Sequence, residues 1–112
     1  MLNKTVKCGK LSISNSNPFT LIAGPCQLEN EKHALDVAGK LKEITQKLNI
    51  GLIYKTSFDK ANRTSLHGKR GAGLDKSLPV FDKIRKDLGI PVLTDVHTID
   101  QCEKVSKHVD VL

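Results

Sequence analysis

The chain has 112 residues, 38% of them hydrophobic and 27% charged, which suits one small domain and excludes a disordered tail. No apolar run approaches the ~18 residues of a membrane-spanning helix, and the stretch Met1 to Ser16 carries Lys4, Lys7 and Lys10 without the apolar core of a secretory signal. The net charge of +6 points to anionic partners, and three cysteines without a C-x-x-C pair argue against a disulfide framework and for a reducing, cytoplasmic setting.

The opening segment, Thr5 to Ser14, alternates weakly around Cys8-Gly9-Lys10 and reads as a β-hairpin. Phe19 to Ala23 is the first of three nearly continuous apolar runs, as strands covered on both faces should be. A helix follows over about Glu31 to Leu48. Asn30 can cap it, Ala34, Ala38, Leu41, Ile44 and Leu48 fall on one face, and Asn49-Ile50-Gly51 ends it. Leu52 to Tyr54 is the second strand. The connection Ser57 to Gly73 is then 17 residues long, beyond the ~12–15 at which structureless loops become uncommon and usually functional. A second helix runs from Asp75 to Leu88, with Leu74, Leu78, Phe81, Ile84 and Leu88 on one face and Gly89 as its stop. Pro91 to Val96 is the third strand. Ile99 to Lys107 forms a shorter helix aligning Ile99, Cys102 and Val105, and Val109 to Leu112 opens a fourth strand. Strands alternating with helices imply a parallel sheet in an α/β fold, with ligands at the C-terminal ends of the strands.

Charge and motifs converge on those ends. From Lys55 to Lys76, six Lys or Arg stand against Asp59 and Asp75, so this stretch holds +4 of the +6. It has one Phe and no Tyr or Trp, so the stacking aromatics of single-strand binders are missing, and a Gly-punctuated loop is no groove-reading helix. Small phosphorylated ligands fit better than nucleic acid. Lys55, Lys60 and Arg63 with Asn62 on one loop make an anion site, to which Thr64 and Ser65 add hydroxyl donors. Gly68, Gly71 and Gly73 would let backbone approach a ligand. The order required of a P-loop is absent. Asp95 and His97, two apart on a strand, share a face and suit acid–base work or an ion pair with a loop lysine. Cys26 can be a metal ligand, a nucleophile or a core residue, and burial is the commoner fate of a free cysteine. His97 is a possible second metal ligand, but no four-ligand spacing exists. Cys8 and Cys102 read as packing residues, and His33 and His108 as structural or solvent-exposed.

Four stretches carry a resemblance: Ile22-Ala23-Gly24-Pro25-Cys26, Lys55-Thr-Ser-Phe-Asp-Lys-Ala-Asn-Arg63, Arg70-Gly-Ala-Gly-Leu74 and Thr94-Asp-Val-His97. Across Thr5 to Leu112 the sequence resembles the 3-deoxy-D-manno-octulosonate 8-phosphate synthases of the metal-dependent class. Sister aldulosonate synthases, including the one opening aromatic amino-acid synthesis, share the Gly-Pro-Cys start but typically carry Lys-Pro-Arg-Thr in place of Lys-Ala-Asn-Arg.

The resemblance implies the N-terminal half of a (β/α)8 barrel, about three and a half βα units. Residues 1–16 would be the hairpin and 17–112 the first units of a single incomplete domain, since a whole barrel takes ~250 residues. It implies a cytoplasmic transferase condensing phosphoenolpyruvate with D-arabinose 5-phosphate for the inner core of lipopolysaccharide. By the same resemblance, Lys55, Ser57 and Lys60 line the site for phosphoenolpyruvate and the sugar aldehyde. Asn62, Arg63, Thr64 and Ser65 hold the pentose phosphate, with Arg63 reaching a neighbouring subunit in a homotetramer. Lys60, Asp95 and His97 take the catalytic positions, and Cys26 is a ligand of a divalent Zn, Fe or Mn. The other metal ligands and the main clamp for the phosphoenolpyruvate phosphate belong to strands that would follow Leu112, so the 112 residues alone are expected to be inactive. Thr98 stands where Glu is common in the family, and Gln27-Leu28-Glu29-Asn30 replaces a more usual Ala-Ile-Glu-Ser.

Overall fold

A computed structural model describes residues 3–59 and 71–112. The chain is a mixed α/β protein. An antiparallel hairpin comes first, β1 (Val6–Cys8) and β2 (Leu11–Ile13), with Val6 opposite Ile13 and Cys8 opposite Leu11. Its turn needs φ = +57° at Gly9, a conformation glycine adopts at no steric cost. Three strands then form a parallel sheet in sequence order: β3 (Thr20–Ala23), β4 (Gly51–Lys55) and β5 (Val92–Leu93). Ala23 lies opposite Tyr54, and Lys55 opposite Leu93. The fourth apolar segment contributes a single parallel bridge, Leu93 to Val111, instead of a full strand.

Helix α1 (Glu31–Lys47) starts where Asn30 accepts a hydrogen bond from the His33 amide at 2.8 Å. Its stop is Asn49, in the left-handed region at φ = +56°, so that Gly51 is free to begin β4. The buried face of α1 differs from the one expected. Ala34, Ala38 and Thr45 are buried and Leu41 is half-buried, whereas Ile44 and Leu48 are 54% and 63% exposed. The reason is rotational: Thr45 continues the Ala34–Ala38–Leu41 stripe, and its hydroxyl donates to the Leu41 carbonyl at 2.9 Å, so it is buried without an unmet donor.

The second helix divides into α2 (Leu74–Lys83) and a π-helical turn over Ile84–Leu88. Leu78, Phe81 and Ile84 are buried, and Leu74 and Leu88 half-buried, on the expected face. Gly89 ends the turn in the left-handed conformation, and Lys42 from α1 donates to the Leu88 carbonyl at 2.7 Å. Helix α3 (Ile99–Ser106) buries only Val105. Ile99 is 89% exposed and Cys102 is exposed, so neither is a packing residue. The chain enters this helix through Gln101, whose side-chain oxygen accepts from the His97 and Thr98 amides at 2.7 and 3.3 Å.

One core joins these elements. Leu52, Tyr54 and Val92 from the sheet meet Ala34 and Ala38 of α1, Phe81 and Ile84 after them, and Val105 of α3. Alternation along β4 therefore turns Leu52, Tyr54 and Thr56 toward the helices, and Lys55 and Ser57 to the opposite face.

Candidate functional site

The described candidates lie at or beyond the last regular pair of each strand. The first two strand ends approach unusually closely. A Cβ on Gly24 would stand 1.8 Å from the Lys55 carbonyl oxygen, so only glycine lets the two backbones lie there. After Pro25 the first segment pairs again with the second: Gln27 bridges Ser57 in parallel, and the Leu28 amide donates to the Ser57 carbonyl at 2.8 Å. The chain returns at Gly71 to Gly73 against the same segment, with Ala72 N–H donating to Leu28 C=O at 2.9 Å and Gly73 N–H to Phe58 C=O at 3.0 Å. Gly71, at φ = +113°, would place a Cβ 2.7 Å from the Phe58 oxygen. The close approach expected there for a ligand is made by the protein's own backbone.

Polar side chains meet on the face away from the helices. The Ser57 hydroxyl, buried, donates to Asp95 Oδ1 at 2.5 Å, and Lys55 Nζ donates to the same hydroxyl oxygen at 3.5 Å. The other carboxylate oxygen of Asp95 lies 3.5 Å from His97 Nε2. That nitrogen also sits 2.8 Å from the Asp59 carbonyl oxygen. A carbonyl can only accept, so Nε2 carries the proton and Nδ1 is the nitrogen able to take another. Phe58 holds the ring edge-on, with centroids 5.8 Å apart. The arrangement is a continuous polar path from Lys55 through Ser57 and Asp95 to His97, spanning two adjacent strand ends.

Cys26 is exposed, which overturns the expectation that a lone cysteine would be buried. Cys8 is the buried one, and burial, with the Asp110 charge second, pushes its thiol above the usual range. Among the described residues no group of three His, Cys, Asp or Glu could hold a metal ion. One exposed thiol is a single donor, so these residues do not by themselves make a metal centre. Lys60, Asn62, Arg63, Thr64 and Ser65 lie outside the described residues. His108 is half-buried and paired with Asp82 at 2.7 Å, on the helix side and away from the strand ends. His33 is half-buried, with a buried Nδ1 that has no partner among the described residues. Sequence reasoning missed Thr56 and Thr94, both fully buried at the strand ends. Thr94 had one legible signal, a polar residue inside the apolar run from Pro91, and Thr56, just after Lys55, had none.

A parallel sheet with a lysine, a carboxylate and an imidazole at its C-terminal rim defines an α/β protein with a polar cluster at the strand ends, where parallel α/β folds commonly place their ligands. The sequence model of the DAHP synthetase I family matches residues 3–112, and the chain belongs to that family. It is 60% identical over 110 residues to proteins named 2-dehydro-3-deoxyphosphooctonate aldolase from Chelativorans sp. and Brucella ovis. The Brucella anthropi protein of the same name is 59% identical over the same length. Each match covers 98% of this chain and 40% of the relative, so the chain spans about two-fifths of the length of these curated relatives. No helix among the described residues is long and apolar enough to cross a membrane.

Proposed function

We propose that the chain carries the substrate-handling strand ends of a 3-deoxy-D-manno-octulosonate 8-phosphate synthase, as the N-terminal half of a (β/α)8 barrel with residues 1–16 as its hairpin. The reaction joins the methylene carbon of phosphoenolpyruvate to the aldehyde carbon of D-arabinose 5-phosphate. Water adds at the neighbouring enol carbon and inorganic phosphate leaves. The observation that supports this reading best is the path Lys55–Ser57–Asp95–His97, set on the open face of a parallel sheet in a chain so similar to relatives named for that product.

Two anionic substrates must be held together against their repulsion. Lys55 supplies positive charge to the phosphoenolpyruvate carboxylate or phosphate. Asp95, held by Ser57, accepts a hydrogen bond from the sugar or its reacting water. His97 takes or returns a proton at Nδ1 while Nε2 stays tied to Asp59 C=O. Lys60 joins them at the reacting carbons, and Asn62, Arg63, Thr64 and Ser65 hold the pentose phosphate, with Arg63 crossing to a neighbouring subunit of a homotetramer. Cys26 furnishes one thiolate to a divalent Zn, Fe or Mn whose other donors come from residues beyond those described. Such a metal supplies polarisation of water or the aldehyde. The setting is the cytoplasm, and the product serves the lipopolysaccharide inner core.

A chimaera tests the reading. Residues 1–112 joined to the remaining part of the Chelativorans relative should release phosphate from phosphoenolpyruvate only when arabinose 5-phosphate and a divalent metal are present. The 112 residues alone should release none with Zn, Mn or Fe. A folded chimaera without turnover, beside an active Chelativorans protein, sinks the proposal. Preference for a four-carbon aldose phosphate would instead assign the sister aldulosonate reaction.

A further inference from the structure

Regular strand pairing stops at Ala23–Tyr54, three residues before Cys26, and at Lys55–Leu93, two residues before Ser57 and Asp95. Beyond these pairs a single bridge, Gln27 to Ser57, links the first two strand ends, and among the described residues no bridge reaches Asp95. Two threonine hydroxyls span that gap. Thr56 Oγ1 donates to the Pro25 carbonyl at 2.9 Å, and Thr94 Oγ1 donates to the Thr56 carbonyl at 2.7 Å. The Thr56 amide donates to Leu93 C=O and the Thr94 amide to Val111 C=O, both at 3.3 Å. Four chain segments are thus tied side to side at one level, through two residues that are fully buried.

Packing alone does not call for hydroxyls here. Thr56 and Thr94 follow Tyr54 and Val92 on the helix side of the sheet, where the neighbouring positions are apolar. Valine has nearly the same shape and a strand preference, but it would leave the Pro25 and Thr56 carbonyls without these donors. Each hydroxyl acts one residue away from a candidate group: Pro25 precedes Cys26, Thr56 lies between Lys55 and Ser57, and Thr94 precedes Asp95.

We propose that Thr56 and Thr94 are positioning residues that hold Cys26, the Lys55–Ser57 pair and Asp95 at a common height across the strand ends. The assignment rests on the reading of that rim as the substrate site. Two measurements on the full chain test it: amide hydrogen exchange at Leu28, whose N–H is bonded to Ser57 C=O, and alkylation of Cys26 with exposed Cys102 as internal reference.

Thr56→Val should speed Leu28 exchange about fivefold, the loosening that one lost hydrogen bond produces. It should change the Cys26 alkylation rate relative to Cys102 and leave Ala38 exchange in α1 unchanged. Thr56→Ser should restore both wild-type rates. Unchanged Leu28 exchange in folded Thr56→Val overturns the proposal. Faster exchange with an unchanged Cys26 rate also overturns it, because the hydroxyl would then serve the fold alone. If Thr56→Val does not fold, Thr94→Val decides through the Thr56 amide, which must exchange faster and recover in Thr94→Ser. Neither readout involves turnover, so an inactive chimaera refutes the synthase reading and leaves these rates standing.

Discussion

The two faces of β4 and β5 contain successive residues of the same strands and yet do different work. Toward the helices, Leu52, Tyr54 and Val92 are buried among Ala34, Ala38, Phe81 and Val105. On the other face, at and beyond the strand ends, Lys55 and the buried Ser57 hydroxyl lead by hydrogen bonds to Asp95, which lies 3.5 Å from His97. One residue of offset separates the apolar packing from the polar cluster, because side chains alternate across a strand. Substitutions on the helix side should therefore register as lost stability, and those on the open face as lost ligand handling at nearly constant stability.

The largest effect is expected at Phe81 of α2, fully buried in the core shared by the helices and the sheet. Phe81→Ala should cost about 3–5 kcal/mol, a large share of the ~5–15 kcal/mol that holds a typical domain. Urea denaturation followed by far-UV circular dichroism measures it. A cost under about 1 kcal/mol would mean that the helix layer is not the stabilising half.

Gly24→Ala comes next, and it crosses the boundary between the two faces. The added Cβ meets the Lys55 carbonyl at 1.8 Å, and backbone must move to admit it. A loss of about 1–3 kcal/mol is expected, together with displaced Cys26 and Gln27 amide resonances. Wild-type stability with unmoved resonances would show that the strand ends separate without cost.

Tyr54 tests the helix side from another direction. Its hydroxyl is buried without a hydrogen-bond partner among the described residues, and burial pushes its pKa up to about 12. An acid whose pKa is raised on folding stays protonated in the native chain while the unfolded chain ionises above about 10. Stability conferred by the neutral phenol is therefore complete below pH 10 and is lost as pH rises through 12. Tyr54→Phe should raise stability at neutral pH by up to about 1 kcal/mol and flatten the decline between pH 10 and 12. An undiminished decline in the variant would assign it to other groups.

The α/β order, the hairpin and the starts and stops at Asn30, Asn49 and Gly89 were legible because local chemistry decides them. Capping needs an acceptor, a left-handed residue needs Gly or Asn, and apolar runs need cover. Which stripe of α1 is buried was not legible: Thr45 competes with Ile44 through a hydroxyl bond to its own helix, and hydrophobicity alone favours the wrong one. Ile99 and Cys102 failed likewise, since α3 touches the core through Val105 only. At the rim, Asp95 and His97 do come together, at 3.5 Å, but past the end of β5 and not as alternate residues of one strand. Their connection to Ser57 was not foretold, because it depends on the register of two strands 38 residues apart in sequence. Thr56 and Thr94 went unread for the same reason, as each bonds across a strand boundary that the sequence does not mark.

The smallest stability effect should be at Asp95, where the contrast between faces is clearest. Asp95→Asn keeps the shape and leaves Oδ1 to accept from Ser57. What it removes is negative charge facing His97 and the region of Lys55. An ion pair near solvent adds at most about 1 kcal/mol, so the urea midpoint should move little. In the chimaera the same change should lower phosphate release on the order of 100-fold, the scale of one preorganised polar group at the reacting centre. Loss of most of the stability without a separate loss of rate would make Asp95 a structural residue, and the open face would then be a second core and not a site. Retained stability with lost turnover would assign the odd-numbered positions of these strands to chemistry, and would place the division between fold and function at a single residue's step along the backbone.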